Sequence, residues 1–188
     1  MRISGGIARG ITLATPRGDA TRPATDGMRQ AVFSSLGAGV VGARFLDLFA
    51  GSGAYGLEAL SRGAASGVFV EQNGKAAACV RQNLLAVCKS AGRDVHDFNV
   101  LQSDARAVPL AGGTAPDLVF IDPPYEIIPE IAQTLFARLA EALVTKPDAL
   151  VVFEVPGELN LTPSGWSLLK RLGKGTRQPT VAFFRRGE

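Results

Sequence analysis

Residues 43–62 constrain the fold of this chain more than any other stretch. Ala43-Arg44-Phe45-Leu46-Asp47-Leu48-Phe49 reads as a strand, Ala50-Gly51-Ser52-Gly53-Ala54-Tyr55-Gly56 as a glycine loop, and Leu57–Arg62 as the start of a helix. Apolar runs of this length bounded by glycines are buried strands, and a strand that passes through glycines into a helix belongs to a βαβ unit. The alternation then continues. A second strand, Gly67–Val70, ends at Glu71; a helix follows over about Lys75–Cys88, with Ala78, Cys79, Leu84, Leu85 and Val87 as its buried positions. Asn99–Leu101 is a short third strand ending near Asp104, and Asp117–Ile121 a fourth. A helix over Pro129–Leu143, a fifth strand over Ala149–Glu154 and a closing hairpin of Trp166–Arg171 with Thr180–Phe184 complete the order. Such alternation predicts an α/β fold, a doubly wound, Rossmann-like sheet whose ligands sit outside the carboxyl ends of the strands. Asp47 to Gly53, Glu71, Asp104 and Asp122 all fall at those ends.

Asp122-Pro123-Pro124-Tyr125 terminates the fourth strand. Neither proline donates a ladder hydrogen bond, so the chain must leave the sheet there. The result is a stiff lip with an acceptor side chain at Asp122, a free carbonyl at Pro123 and an aromatic face at Tyr125. Two acceptors beside a stacking ring suit a planar base that carries an amino group, and such stacking contributes roughly 1–3 kcal/mol per base.

Gly51-Ser52-Gly53-Ala54-Tyr55-Gly56 fits G-x-G-x-x-G, and Glu71 lies 20 residues beyond Gly51. Both match a dinucleotide site. A nicotinamide-dependent dehydrogenase is therefore one reading and an S-adenosylmethionine site another, since both need close backbone approach and an acid for ribose hydroxyls. Asp47 separates them. A pyrophosphate gains nothing from a carboxylate before the loop, whereas a cofactor bearing a sulfonium and an ammonium does. The lip, moreover, has no role in hydride transfer.

Before the sheet, Met1–Ser4, Gly5-Gly6 and Ile11–Leu13 read as a β-hairpin, and Gly27–Leu36 as a helix with Met28, Ala31, Val32 and Leu36 on one face. Residues 1–36 thus form an N-terminal extension and 37–188 the main domain. Charge separates along the chain. Residues 1–30 hold five arginines and two acids, residues 165–188 six basic residues and one acid, and the middle nine basic residues and fourteen acids. Basic ends around an acidic body point to a polyanion held at the periphery. A single histidine, His96, excludes a histidine triad or multi-histidine metal site. Cys79 and Cys88 lack metal-ligand spacing and are read as reduced thiols, and the N-terminus lacks the apolar core of a signal peptide, so a cytoplasmic location is expected, without metal or membrane.

The stretch Asp47–Ala64, together with Met1-Arg-Ile-Ser-Gly-Gly6, Arg22–Phe33 and Asp122–Tyr125, resembles the RsmD-type small-subunit rRNA guanine-N2 methyltransferases, in order through the whole chain. That resemblance implies a class I methyltransferase fold binding S-adenosylmethionine. Ala50, Gly51 and Gly53 would face its methionine part, Glu71 its ribose hydroxyls and Asp104 its adenine amino group. Asp122, the Pro123 carbonyl and Tyr125 would hold a flipped guanine. Arg22 to Arg29 would cover the cofactor's amino-acid end, and the arginines Arg2, Arg9, Arg22 and Arg29 would serve RNA binding. The implied partner is small-subunit (16S) rRNA or the assembling 30S particle, and the protein is expected to be a monomer. Gly27 and Gln30 stand where the family has a basic and an acidic residue, and Tyr55 where a larger aliphatic is usual. Rival acceptors for the same lip are DNA adenine N6, another rRNA base and a protein glutamine.

Overall fold

The apolar runs read above pair into one seven-stranded sheet in the order β3-β2-β1-β4-β5-β7-β6. The strands are β1 (Arg44–Leu48), β2 (Ser66–Glu71), β3 (Phe98–Gln102), β4 (Leu118–Ile121), β5 (Leu150–Pro156), β6 (Trp166–Leu172) and β7 (Pro179–Arg186). The first five are parallel, and β7 inserts antiparallel between β5 and β6. This computed structural model describes residues 1–16, 26–110, 113–173, 175 and 179–187. Four helices cover the sheet: α1 (Asp26–Leu36), α2 (Ala54–Ser61), α3 (Gly74–Ala91) and α4 (Ile128–Ala142).

Strand pleating sorts the side chains into two cores. Phe45, Phe69, Leu118, Phe120 and Val152 point to one side, where α1, α2 and α3 pack. Leu48, Val70, Val119, Ile121, Val151 and Phe153 point to the other, against α4. Two glycines let the first layer close up. A Cβ on Gly67 would lie 2.2 Å from the Phe45 ring, and one on Gly56 2.3 Å from Phe69. The third glycine of the loop is thus a packing glycine, which brings α2 down onto the sheet.

In place of the expected β-hairpin strands, residues 1–16 form a turn closed by one isolated antiparallel bridge, Arg2 with Thr12. They join the first core through Ile3, Ala8 and Leu13. Polar ties hold them as well: Ser4 donates twice to Glu58, the Ala8 amide donates to Ser61 Oγ, and the Asn83 side chain both donates to and accepts from the Ala14 backbone.

Two helical faces differ from the expectation. In α1, Ala31 is exposed and Phe33 buried. In α3, Ala78 and Leu85 are exposed and Cys79 half-buried, while Ala76, Ala77, Val80, Leu84, Val87 and Cys88 are buried. Ala76-Ala77-Ala78 offers no polarity contrast, so the helical phase there is set by Val80, Leu84 and Val87 alone, spaced as one face.

Candidate active site

Period-two pleating decides which strand-end side chains meet. Asp47 lies two residues beyond Phe45, Glu71 two beyond Phe69, Asp122 two beyond Phe120 and Glu154 two beyond Val152. All four acids therefore continue the same face of four adjacent strands, at their carboxyl ends, and all four line one cavity of about 850 Å³. Ala50, Gly51, Pro123 and Tyr125 line it too.

The glycine loop is tied down from both sides. Asp47 Oδ2 accepts from the Gly56 amide at 2.8 Å, in the first turn of α2. Glu71 accepts from the Gly51 amide at 2.8 Å and from the Asn73 amide at 2.7 Å. Gly51 and Gly53 have φ of 57° and 84°, the left-handed region that glycine adopts without strain. A Cβ on Gly51 would meet nothing within 4 Å, so the backbone there is open to a ligand. Phe49, also on the cavity wall, is a non-glycine residue at positive φ, 61°. Such strain persists only where the surrounding structure enforces it. The buried Asn83 completes the loop by donating to the Ser52 carbonyl.

Electrostatically the cavity is a carboxylate pocket. Burial pushes Asp47 up to about 7, opposed by the Gly56 hydrogen bond, with the Glu71 charge adding to the rise. Asp122, half-buried on the cavity wall, is pushed well above the usual carboxylate range by loss of solvent, then by the charges of Glu154 and Asp47. Glu154 is raised by burial, opposed by hydrogen bonds from Tyr55 and Tyr125. Among the described residues, no ion pair includes Asp47, Glu71, Asp122 or Glu154. Such a site favours a cation, because a positive ligand lets the acids ionise. The donor set is compatible with S-adenosylmethionine, since the cavity offers carboxylates for positive groups and hydroxyls, and the open Gly51 backbone permits close approach.

Other expected site residues lie elsewhere. Asp104 is outside the cavity wall, which takes its neighbour Ala105 instead. Arg106 engages the Asp104 carboxylate with Nε and Nη2 at 2.7–3.1 Å, which holds Asp104 below its ordinary pKa. Arg29 is not a surface arginine. It is fully buried, pairs with Glu58 and Asp26, and donates to the Arg2 carbonyl, so it ties α1 to α2 and the N-terminal turn and cannot meet RNA as it stands. Arg2 and Arg9 are exposed, and Arg22 lies outside the described residues. Glu154, Tyr55 and Asn83 are the site residues that the sequence reading missed. Glu154 was legible, since it stands near the carboxyl end of β5 in the phase of Val152 as Asp122 follows β4 in the phase of Phe120. Asn83 gave no signal, being one polar residue in a helix with polar neighbours.

Strand order with a reversed β7, together with ligand-facing acids at the ends of β1, β2, β4 and β5, defines a class I methyltransferase fold. A solved Escherichia coli structure described as "Putative methyltransferase yhhF" superposes with a TM-score of 0.74 at 31% identity, covering 100% of this chain and 98% of that one. The family model described as Conserved hypothetical protein 95 matches residues 1–184. The chain belongs to that family, the RsmD-type family. It is 36% identical over 173 residues to the Ribosomal RNA small subunit methyltransferase D of Escherichia coli K12, covering 89% of this chain and 82% of the relative. The Haemophilus influenzae protein of the same name is 33% identical over 177 residues, covering 93% and 89%.

Proposed function

We propose that the protein is an S-adenosylmethionine-dependent methyltransferase acting on the exocyclic N2 of a guanine in small-subunit (16S) ribosomal RNA. The names of its relatives support the rRNA substrate. The observation that carries the chemistry is the single-faced row of four carboxylates beside the Asp122–Tyr125 lip. The cofactor would supply an electrophilic methyl group on a cationic sulfonium.

Guanine N2 is a poor nucleophile because its lone pair is delocalised into the ring. Asp122 and the Pro123 carbonyl would accept its two N–H bonds, orienting the nitrogen and favouring tetrahedral character. Asp122, ionised once a cation occupies the pocket, would stabilise the positive charge that develops on the nitrogen and take the proton it releases. Tyr125 would stack on the base, which must be unpaired or extruded to enter. Asp47 and Glu71 would hold the glycine loop and the cofactor's polar ends. Domain roles follow the same division: residues 37–188 carry the chemistry, and residues 1–36 cover the cofactor and help to bind RNA.

The test offers purified protein the methyl-labelled cofactor with rRNA, assembled small subunits, DNA and bulk protein in parallel, followed by nucleoside digestion. Label in N2-methylguanosine from small-subunit rRNA is expected. Label in N6-methyladenosine or in protein would replace the substrate, and the same lip would then serve that amino group.

A further inference from the structure

Glu154 sits at the end of β5, 2% exposed, and accepts from two tyrosines on different elements. Tyr55 Oη, from the first turn of α2 behind the glycine loop, donates to Oε2 at 3.0 Å. Tyr125 Oη, from the lip after β4, donates to Oε1 at 3.4 Å. Tyr55 is buried and stacks on Phe120 at 5.5 Å with the rings 16° apart, so it is a fixed anchor. Tyr125 is 37% exposed at the cavity mouth. One carboxylate therefore links the half of the cavity built by the glycine loop to the half built by the lip.

Resting on the proposed reading of the site, we propose that Glu154 is a positioning residue: it tethers the Tyr125 ring, through the phenol, in the orientation that receives the target base. A free tyrosine at a cavity mouth samples several rotamers and must give them up when a base stacks on it, whereas a tethered one has given them up already. The tether needs both oxygens of one carboxylate, since each takes a different phenol. Glutamine keeps the shape but turns one acceptor into a donor. Asp122 and Asp47 face the same space from β4 and β1, so the phenols supply the hydrogen bonds that a buried Glu154 among other acids would otherwise lack.

The chain has only two tyrosines, and both are in this cluster. Ring NMR of tyrosine-labelled protein therefore reads the tether directly and without turnover. E154Q is expected to move both tyrosine signals. In methylation of small-subunit rRNA, E154Q and Y125F are each expected to raise KM for RNA roughly two- to tenfold, the range for freeing one side chain, and E154Q, which also removes a charge beside Asp122, is expected to move the pH profile of kcat as Y125F does not. The double variant is expected to be no worse than either single one. An unmoved Tyr125 signal in E154Q, or effects that multiply in the double variant, overturns the proposal. If E154Q does not fold, Y125F decides alone, because it keeps the ring and removes the phenol that Glu154 accepts from; an unchanged KM sinks the idea. Absence of methylation by the unaltered protein would instead refute the substrate reading, while the NMR result would still settle the tether.

Discussion

Asp122 and Asp47 carry different burdens although both acids line one wall, Asp47 buried and Asp122 half-buried. In the proposed reaction Asp122 accepts from the reacting amino group, so Asp122→Ala should lower turnover by about 10²–10³, with cofactor affinity changed only a few-fold. Calorimetric titration beside single-turnover kinetics checks this; equal loss of both would assign Asp122 to the cofactor. Asp47 titrates near 7 when the cavity holds no cation. A raised carboxyl binds more protons folded than unfolded between its ordinary 3.8 and about 7. Its contribution is thus present at low pH and lost as pH rises through that window, by up to about 4 kcal/mol for this one group. Asp47→Asn keeps an acceptor for the Gly56 amide without a charge. It should be more stable than the unaltered protein at pH 8 than at pH 5, judged by urea midpoints. Affinity for the sulfonium cofactor should rise with pH up to about 7, by at most tenfold per unit, and that for the thioether product, which loses the sulfonium charge but keeps the ammonium, less steeply. Identical slopes for the two ligands would assign Asp47 to the ammonium, and flat slopes for both would remove it from the role of cation partner.

At the scale of elements, close approach explains more than propensity. Gly67→Ala would drive a methyl into the Phe45 ring, and overpacking of this kind costs about 3 kcal/mol, or some 6–12 °C in Tm for a chain of this size. Gly39→Ala, with nothing within 4 Å of the added carbon, should leave Tm nearly unchanged and serves as the control in the same thermal scan. Strand and helix order was legible because the runs of β1, β2 and β4 pass into a glycine loop, an acid and an acid followed by two prolines, and those residues mark where a chain leaves a sheet. Helical phase was less so: three alanines at the head of α3 look alike, and only packing tells Ala77 from Ala78. Arg29 was misread for a related reason. A buried guanidinium with carboxylate partners and an RNA-facing one have the same sequence appearance, and Glu58, one of those partners, is 29 positions away.

The described residues divide their charge between a carboxylate cleft and exposed arginines such as Arg2 and Arg9, and on the proposed function RNA would be held at the edge and modified at the centre. Rim contacts to phosphates release counterions, and RNA affinity should fall steeply with salt. Arg9→Ala should weaken binding for any RNA sequence and reduce the slope of log K against log salt by about 0.7–0.9. Fluorescence anisotropy across a salt series measures it, and an unchanged slope would free Arg9 from the RNA rim. Strand order also has a consequence for synthesis. Val151, Val152 and Phe153 form an apolar edge of β5 whose neighbour, β7, is made after the other six strands of this sheet. Until Pro179–Arg186 has left the ribosome, that edge stays bare, a template for pairing with another nascent chain. Glu154 lies on the same strand, opposite Val181. The cavity wall at Glu154 is therefore completed only when β7 pairs with β5, and a nascent chain lacking β7 would present a sticky edge and no complete cleft.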